Sequence, residues 1–488
     1  MLNLFLLLIG ILLFVDVEAQ SYQQRIQEFL EHNFNYNQVG LVVHSLTDNK
    51  ILYQHHNNKL FVPASLVKLF TLASSLEELT SNFKFVTKLT WNKNKLINHT
   101  LHGDLGLIFS GDPEFTQKNL EKLILAIKKQ GINQIEGDFI VDDTLYSEDY
   151  APGWVIDDLT WGYAAPSTAI VIDENKISIK VNPIYTFGQQ VNFAISNDYN
   201  NYNYENNSNK NNNYSSLIPF NIESKVLAVN HLQAANDCRL KVKLNANNDI
   251  WFSGCVEIEP KDQLINLAVN SPRKYLQDLL KIYLNKYNIN LIGTIIFKQA
   301  PPNLVELKVH ESSKLSNLLS VMMKNSNNIY ANNIGKALGV KLYGHGSFLN
   351  ATNAIKNILH KKFTINTSTL NILDSSGLSI YNVATPNHFV RLLQAIYNDK
   401  NLYNMINKIF PKPGTNGTLK NRLTAKDLRF KLWAKTGSLK HSSGLAGFIR
   451  TKNNQELAFV FIINNLLTND FMIKQLTDEL CELLINYG

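Results

Sequence analysis

The apolar positions of the chain fall into three stretches with different periods. Between Gln20 and His32, Ile26, Phe29 and Leu30 recur at helical spacing. Val39 to Ser45 and Ile51 to Gln54 then read as two strands around the turn Thr47-Asp48-Asn49-Lys50. A second helix follows, with Leu69, Leu72, Ala73, Leu76 and Leu79 along it. From about Phe85 to Lys298 the pattern changes to short strands and turns with a few helices, including Leu105 to Gly111 and Gly137 to Asp143. Beyond Val305 long helical periods return over Ser316 to Met323, Ile329 to Leu338 and Pro386 to Ile396. Two strongly apolar strands, Leu445 to Ile449 and Leu457 to Ile463, meet at the turn Thr451 to Gln455, and a last helix spans Phe471 to Leu484. Helix and sheet at the start thus resemble helix and sheet at the end, which predicts one α/β domain split by a long insertion.

Composition refines this picture at a few places. With 488 residues, 45% of them hydrophobic and 18% charged, the chain is globular and long enough for several domains. Its net charge of +7 comes mostly from scattered lysines, with no arginine-rich patch that would mark a nucleic-acid partner. Leu2 to Val15 form an apolar block, short for a membrane span, and Val17-Glu18-Ala19 offers a cleavage site. A signal peptide over 1–19 is the expectation; no Lys or Arg follows Met1, so an uncleaved anchor is the alternative. Asp198 to Ser216 is dominated by Asn, Tyr and Ser, a composition that cannot bury a core and predicts a loop. Of three cysteines, Cys238 and Cys255 flank a predicted hairpin, with Leu240, Val242 and Leu244 alternating before the turn Asn245 to Asp249. Their symmetry about the turn allows either a disulfide, in keeping with export, or two buried thiols. Cys481 reads as a core residue of the last helix.

Candidate chemistry begins at Pro63-Ala64-Ser65-Leu66-Val67-Lys68-Leu69-Phe70, where a helix would set Ser65 and Lys68 on one face, a turn apart. Two later clusters answer it. Ser326-Asn327-Asn328 lies between two helical patterns, so it sits on a connection where residues two apart can both point into a cleft. Lys435-Thr436-Gly437 and Ser438 follow Leu432 and Trp433 just before the apolar strand pair, and the glycine would let a substrate backbone approach the strand edge.

In this order the three clusters resemble those of the penicillin-recognising serine enzymes. More narrowly, the chain is similar to the D-alanyl-D-alanine carboxypeptidase/endopeptidase family S13, the class C low-molecular-mass penicillin-binding proteins. The narrower likeness rests on Pro63-Ala64, Ser110-Gly111-Asp112-Pro113, Pro152-Gly153-Trp154, Ala165-Pro166, Asp374-Ser375-Ser376-Gly377-Leu378-Ser379 and the long insertion. It implies a β-lactamase/transpeptidase-like α/β domain, an antiparallel sheet covered by helices with a helical subdomain, over 20–84 and 305–488. It also implies a mainly β insertion in two parts, 85–172 with 262–304, and 173–261.

The resemblance assigns chemistry to residues. Ser65 would be the nucleophile, at a helix N-terminus that favours developing negative charge. Lys68 would take its proton, which requires a neutral amine; holding a lysine neutral at pH 7 costs roughly 4 to 5 kcal/mol from its ordinary pKa. Burial and the second cation Lys435 are expected to supply that depression. Ser326 would relay a proton to the leaving amine, and Asn328 would hold the substrate amide and Lys68 together. Lys435 and Thr436 would bind the substrate's terminal carboxylate, and the backbone N–H groups of Ser65 and Ser438 would form the oxyanion hole. The implied partners are peptidoglycan stem peptides ending in D-Ala-D-Ala and cross-linked muropeptides, with β-lactams as covalent inhibitors. No metal or cofactor is called for, and peripheral membrane association stays open.

In several relatives an aspartate shortly after the Pro-Gly-Trp segment meets the amino group of a diamino acid in the stem peptide; Asp158 matches it, with Tyr163 nearby. Where those relatives carry an arginine after Ser-Gly-Leu-Ser, this chain has Ile380, and Lys440 stands where they carry a neutral amide. Lys440 is therefore a candidate replacement for the lost arginine, as a point charge without the bidentate fork. Two other functions compete: a β-lactamase, which the long chain between Lys68 and Ser326 disfavours, and a non-catalytic cell-wall-binding protein.

Overall fold

The computed structural model describes residues 22–34, 38–196, 220–232, 238–425, 428, 431–466 and 470–487. The expected signal peptide and the Asn-rich loop 198–216 lie outside the described residues. A five-stranded antiparallel sheet joins the two ends of the chain in the order Leu432–Leu439, Ser442–Arg450, Glu456–Asn464, Gln38–Ser45, Lys50–His55. Its seam runs in unbroken register from Gln38 opposite Asn464 to Ser45 opposite Leu457.

The near-continuous apolar runs of these strands follow from burial on both faces. Leu457, Phe459, Phe461 and Ile463 point into a core with Tyr22, Ile26 and Leu30 of the helix over 22–33 and with Leu480, Cys481 and Leu484 of Asp470–Tyr487. Ala458, Val460 and Ile462 point the other way, onto helix Lys68–Glu78 and the helices Leu315–Lys324, Asn328–Tyr343, Phe348–Phe363 and Pro386–Asn398. Helix Lys68–Glu78 is buried from Lys68 to Leu76, so the segment that follows Ser65 is among the most enclosed in the protein.

The insertion builds separate sheets. One has the order Ile295–Phe297, Phe139–Asp142, Leu105–Ile108, Val86–Trp91, Val305–Glu311 and packs on helices Gln117–Lys129 and Pro272–Lys286. Strand Val305–Glu311 therefore belongs with the insertion, whereas patterning assigned 305 onward to the split domain. Likewise Gln263–Ala268 pairs with Lys176–Val181, so 262–268 joins the part assigned to 173–261. In both cases period-two alternation marks a strand without naming its partner, which is a long-range choice. A further sheet, Ile222–Val229, Ile250–Glu257, Leu240–Leu244, contains the expected hairpin, and Cys238 and Cys255 are joined in a disulfide with Cα atoms 5.4 Å apart. Among the described residues no helix is long and apolar enough to cross a membrane.

Candidate active site

Ser65 sits in a single 3-10 turn, Ala64–Val67, that runs into helix Lys68–Glu78. The residue before it, Ala64, has φ +49°, a conformation that costs a side-chain-bearing residue about 1–3 kcal/mol and persists only where neighbours enforce it. Two glycines supply that enclosure. Gly377 presses on the turn so closely that a Cβ there would lie 1.9 Å from the Ala64 carbonyl oxygen, and one on Gly437 would lie 2.8 Å from that of Pro63. Any larger residue at either place would push the Ser65 backbone aside. Trp433, Lys435 and Gly437 alternate toward this turn along the sheet's edge strand.

Lys68 is wholly buried, with Nζ 3.0 Å from Ser65 Oγ, 2.6 Å from Asn328 Oδ1 and 2.6 Å from the Ser376 carbonyl oxygen. Burial pushes its pKa down to about 7, while the Asp374 carboxylate pulls the other way. Lys435 is equally buried and donates from Nζ to Ser326 Oγ at 2.9 Å and to the Thr436 carbonyl at 2.6 Å. Its pKa is driven well below the ordinary value by burial first and by Lys68 second. The expectation that Lys435 helps depress Lys68 is corrected: desolvation does that work, and the mutual repulsion weighs on Lys435. Ser326, on the connection between two helices, has φ +53°, so both hydroxyl-bearing turns of the cleft involve a left-handed residue.

Asn328 opens helix Asn328–Tyr343 and links two parts of the chain: its Oδ1 faces Lys68, while its Nδ2 donates to the Tyr163 carbonyl at 2.8 Å. That second bond brings the insertion to the cleft instead of leaving the amide for a substrate. Tyr163 donates from Oη to Asp158 at 2.7 Å, so the two insertion residues are joined, with the Tyr163 carbonyl at Asn328. Thr436 donates to the Thr418 hydroxyl at 2.9 Å, and behind this pair a cavity of about 220 Å³ is lined by Thr418, Arg422, Thr436, Ser438 and Lys474. Lys440 stands exposed in the turn after Leu432–Leu439, and Ile380 is 45% exposed beside Gly153, to whose carbonyl its N–H donates.

Sequence reasoning passed over Thr71 and Thr418 and gave Asp374, Ser376 and Trp154 no role beyond the family likeness. For Asp374 and Ser376 the signal was the string Asp374-Ser375-Ser376-Gly377, a carboxylate followed by small residues, which is the composition of a turn whose N–H groups converge on an acid.

An antiparallel sheet that receives a serine and lysine from a buried helix, and offers a second lysine from its own edge strand, has the architecture of the β-lactamase/transpeptidase-like serine enzymes. Within that class the chain belongs to the D-Ala-D-Ala carboxypeptidase 3 (S13) family, which it matches over residues 22–487. The D-alanyl-D-alanine carboxypeptidase DacB of Haemophilus influenzae is 29% identical over 465 residues, covering 94% of this chain and 91% of that one. A D-alanyl-D-alanine carboxypeptidase of an Actinomadura species is 24% identical over 442 residues, 87% of this chain and 77% of the relative. The crystal structure of penicillin binding protein 4 (dacB) from Haemophilus influenzae superposes with a TM-score of 0.84 at 28% identity, covering 95% of this chain and 99% of that one.

Proposed function

We propose that this protein is a serine D-Ala-D-Ala carboxypeptidase, and a DD-endopeptidase where the leaving amine belongs to a cross-link, acting on peptidoglycan stem peptides through a Ser65 acyl-enzyme. One observation carries the proposal: two buried lysines each hold a serine hydroxyl in one cleft, Lys68 with Ser65 at 3.0 Å and Lys435 with Ser326 at 2.9 Å. Neutral Lys68 takes the Ser65 proton as Oγ bonds to the penultimate D-Ala carbonyl carbon. The backbone N–H groups of Ser65 and Ser438 receive the developing oxyanion. The C–N bond then breaks, Ser326 passes a proton to the leaving nitrogen, and water hydrolyses the ester to free the shortened peptide and Ser65.

The two lysines share the cationic burden unequally. A substrate carboxylate arriving at Lys435, Thr436 and Thr418 stabilises an ammonium on Lys435, while burial keeps Lys68 the base. Penicillins would acylate the same serine; a β-lactam complex is known for the Haemophilus influenzae relative. A fluorescent penicillin provides the test. The expected result is a long-lived covalent label on the wild type and none on Ser65→Ala. No label on either protein points to a binding module, and rapid loss of label points to a β-lactamase.

The mouth supplies specificity. Asp158, oriented by the Tyr163 hydroxyl, meets the side-chain amine of a diamino acid, and Lys440 takes the distal carboxylate in place of an arginine at Ile380. Lys440→Ala should slow turnover of diaminopimelate-containing muropeptides several-fold. Unchanged turnover would refute that role. Action on peptidoglycan places the protein in the bacterial cell envelope, which the apolar segment Leu2 to Val15 and the Cys238–Cys255 disulfide support.

A further inference from the structure

Asp374 is wholly buried, yet its carboxylate is surrounded by donors. Its Oδ1 accepts from the Gly377 N–H at 2.8 Å and the Asn382 amide at 2.9 Å. Its Oδ2 accepts from the N–H groups of Leu378 and Ser379 at 3.0 Å each, from the Ser376 hydroxyl at 3.1 Å, and from the Trp154 indole at 2.8 Å. A carboxylate so encircled fixes the turn that follows it.

That turn touches the Ser65 and Lys68 side of the cleft, the helix beginning at Asn328 and the insertion. The Ser376 carbonyl receives Lys68 Nζ at 2.6 Å, and the Ser375 carbonyl receives the Thr71 hydroxyl, one helical turn on, at 2.7 Å. Gly377 seats the backbone of Ala64 and Ser65. The Ser375 N–H donates to Asn332 of the helix that begins at Asn328. From the insertion come Trp154 and the Pro152 carbonyl, which accepts from the Ser379 hydroxyl at 2.6 Å. Among the described residues no cation comes within ion-pair distance of Asp374, and Lys68 is the cationic group on which its charge acts.

We infer that Asp374 is a positioning residue for the reaction: its carboxylate gathers the donors that lock the turn whose Ser376 carbonyl holds the Lys68 amine against Ser65. The inference rests on the Ser65 acyl-enzyme reading. The charged group that acts on Lys68 is Asp374 from this turn; Lys435 from the edge strand faces the same cleft and is itself the one pushed down by Lys68. Loss of the Asp374 charge therefore makes Lys68 easier to deprotonate, even as loss of the turn misplaces it.

The test measures the second-order acylation rate by a fluorescent penicillin from pH 5 to 9, alongside thermal melting, on the full chain. For Asp374→Asn the plateau rate should fall about ten-fold, and the acid limb should move to lower pH by roughly one unit. A simple loss of folded protein would lower amplitude and leave the limb where it was. A folded Asp374→Asn whose limb coincides with wild type overturns the inference. Because the new amide would face N–H donors, Trp154→Phe is the second variant: it keeps the charge and removes one bond. Its plateau should fall several-fold with the limb unmoved, and an unchanged plateau overturns the positioning role even if Asp374→Asn does not fold. Failure of the wild type to acylate would sink the parent reading instead, so the two failures are distinct.

Discussion

Lys68 and Lys336 are both wholly buried, and burial drives both pKa values down, to about 7 and about 8. They nevertheless serve different regions. Lys336 lies at the seam with the insertion, where Nζ donates to the carbonyls of Ser147 at 2.9 Å and Ser167 at 2.7 Å. It stands 3.5 Å from Asp149 and 4.4 Å from the centre of the Phe348 ring. Carbonyl, carboxylate and ring face all accept or attract a cation, and none has a proton to give. Lys68 meets a serine hydroxyl, which does. Desolvation alone therefore does not define a general base; the partner atom decides whether a depressed lysine is a clamp or a catalyst.

The sharpest way to break this contrast is to replace each amine by a thioether of similar length. Lys68→Met should lower the penicillin acylation rate by about 10³-fold or more while the protein melts near the wild-type temperature. Lys336→Met should do the reverse. Losing its bonds to buried carbonyls costs about 2–3 kcal/mol of stability, read from denaturant unfolding, with acylation per folded molecule within a few-fold of wild type. Equal losses of acylation in both variants would erase the distinction.

A smaller effect sharpens it through pH. In the proposed reaction the active form has neutral Lys68, so acylation should rise with pH and level off above about 7, falling roughly 100-fold below the plateau by pH 5. A flat profile from pH 5 to 9 would remove Lys68 as the base. The smallest effect belongs to the distant hairpin. Separating Cys238 from Cys255 with Cys255→Ser should cost up to about 3 kcal/mol in stability and leave acylation within two-fold. A large loss of acylation would show that the hairpin supports the cleft.

Much of the fold was legible where one period persisted. The strands Ser442–Arg450 and Glu456–Asn464 and the helix Pro386–Asn398 fall within a few residues of where their apolar patterns put them. Helices Phe348–Phe363 and Lys400–Ile409 were not read, although Ile355, Ile358 and Leu359 in the first and Leu402, Ile406 and Ile409 in the second recur at helical spacing. The strand Val305–Glu311 was recognisable as extended chain, yet its pairing with Val86–Trp91 depends on closing a loop of more than two hundred residues, which no local pattern reports.

By itself the sequence determined the chemistry available: a hydroxyl and an amine one turn apart, a second hydroxyl with an amide two residues on, and a lysine on an apolar strand. Local spacing fixes such pairs because helix and strand geometry are local. Only the tertiary structure decided what the amines are. The depression of Lys68 comes from its exclusion from water, opposed by Asp374, more than three hundred positions away. The choice of Asn328 to hold Tyr163 comes from docking the insertion against the cleft. Desolvation and through-space charge depend on the atoms that surround a group, and those are known only once distant parts of the chain have packed together.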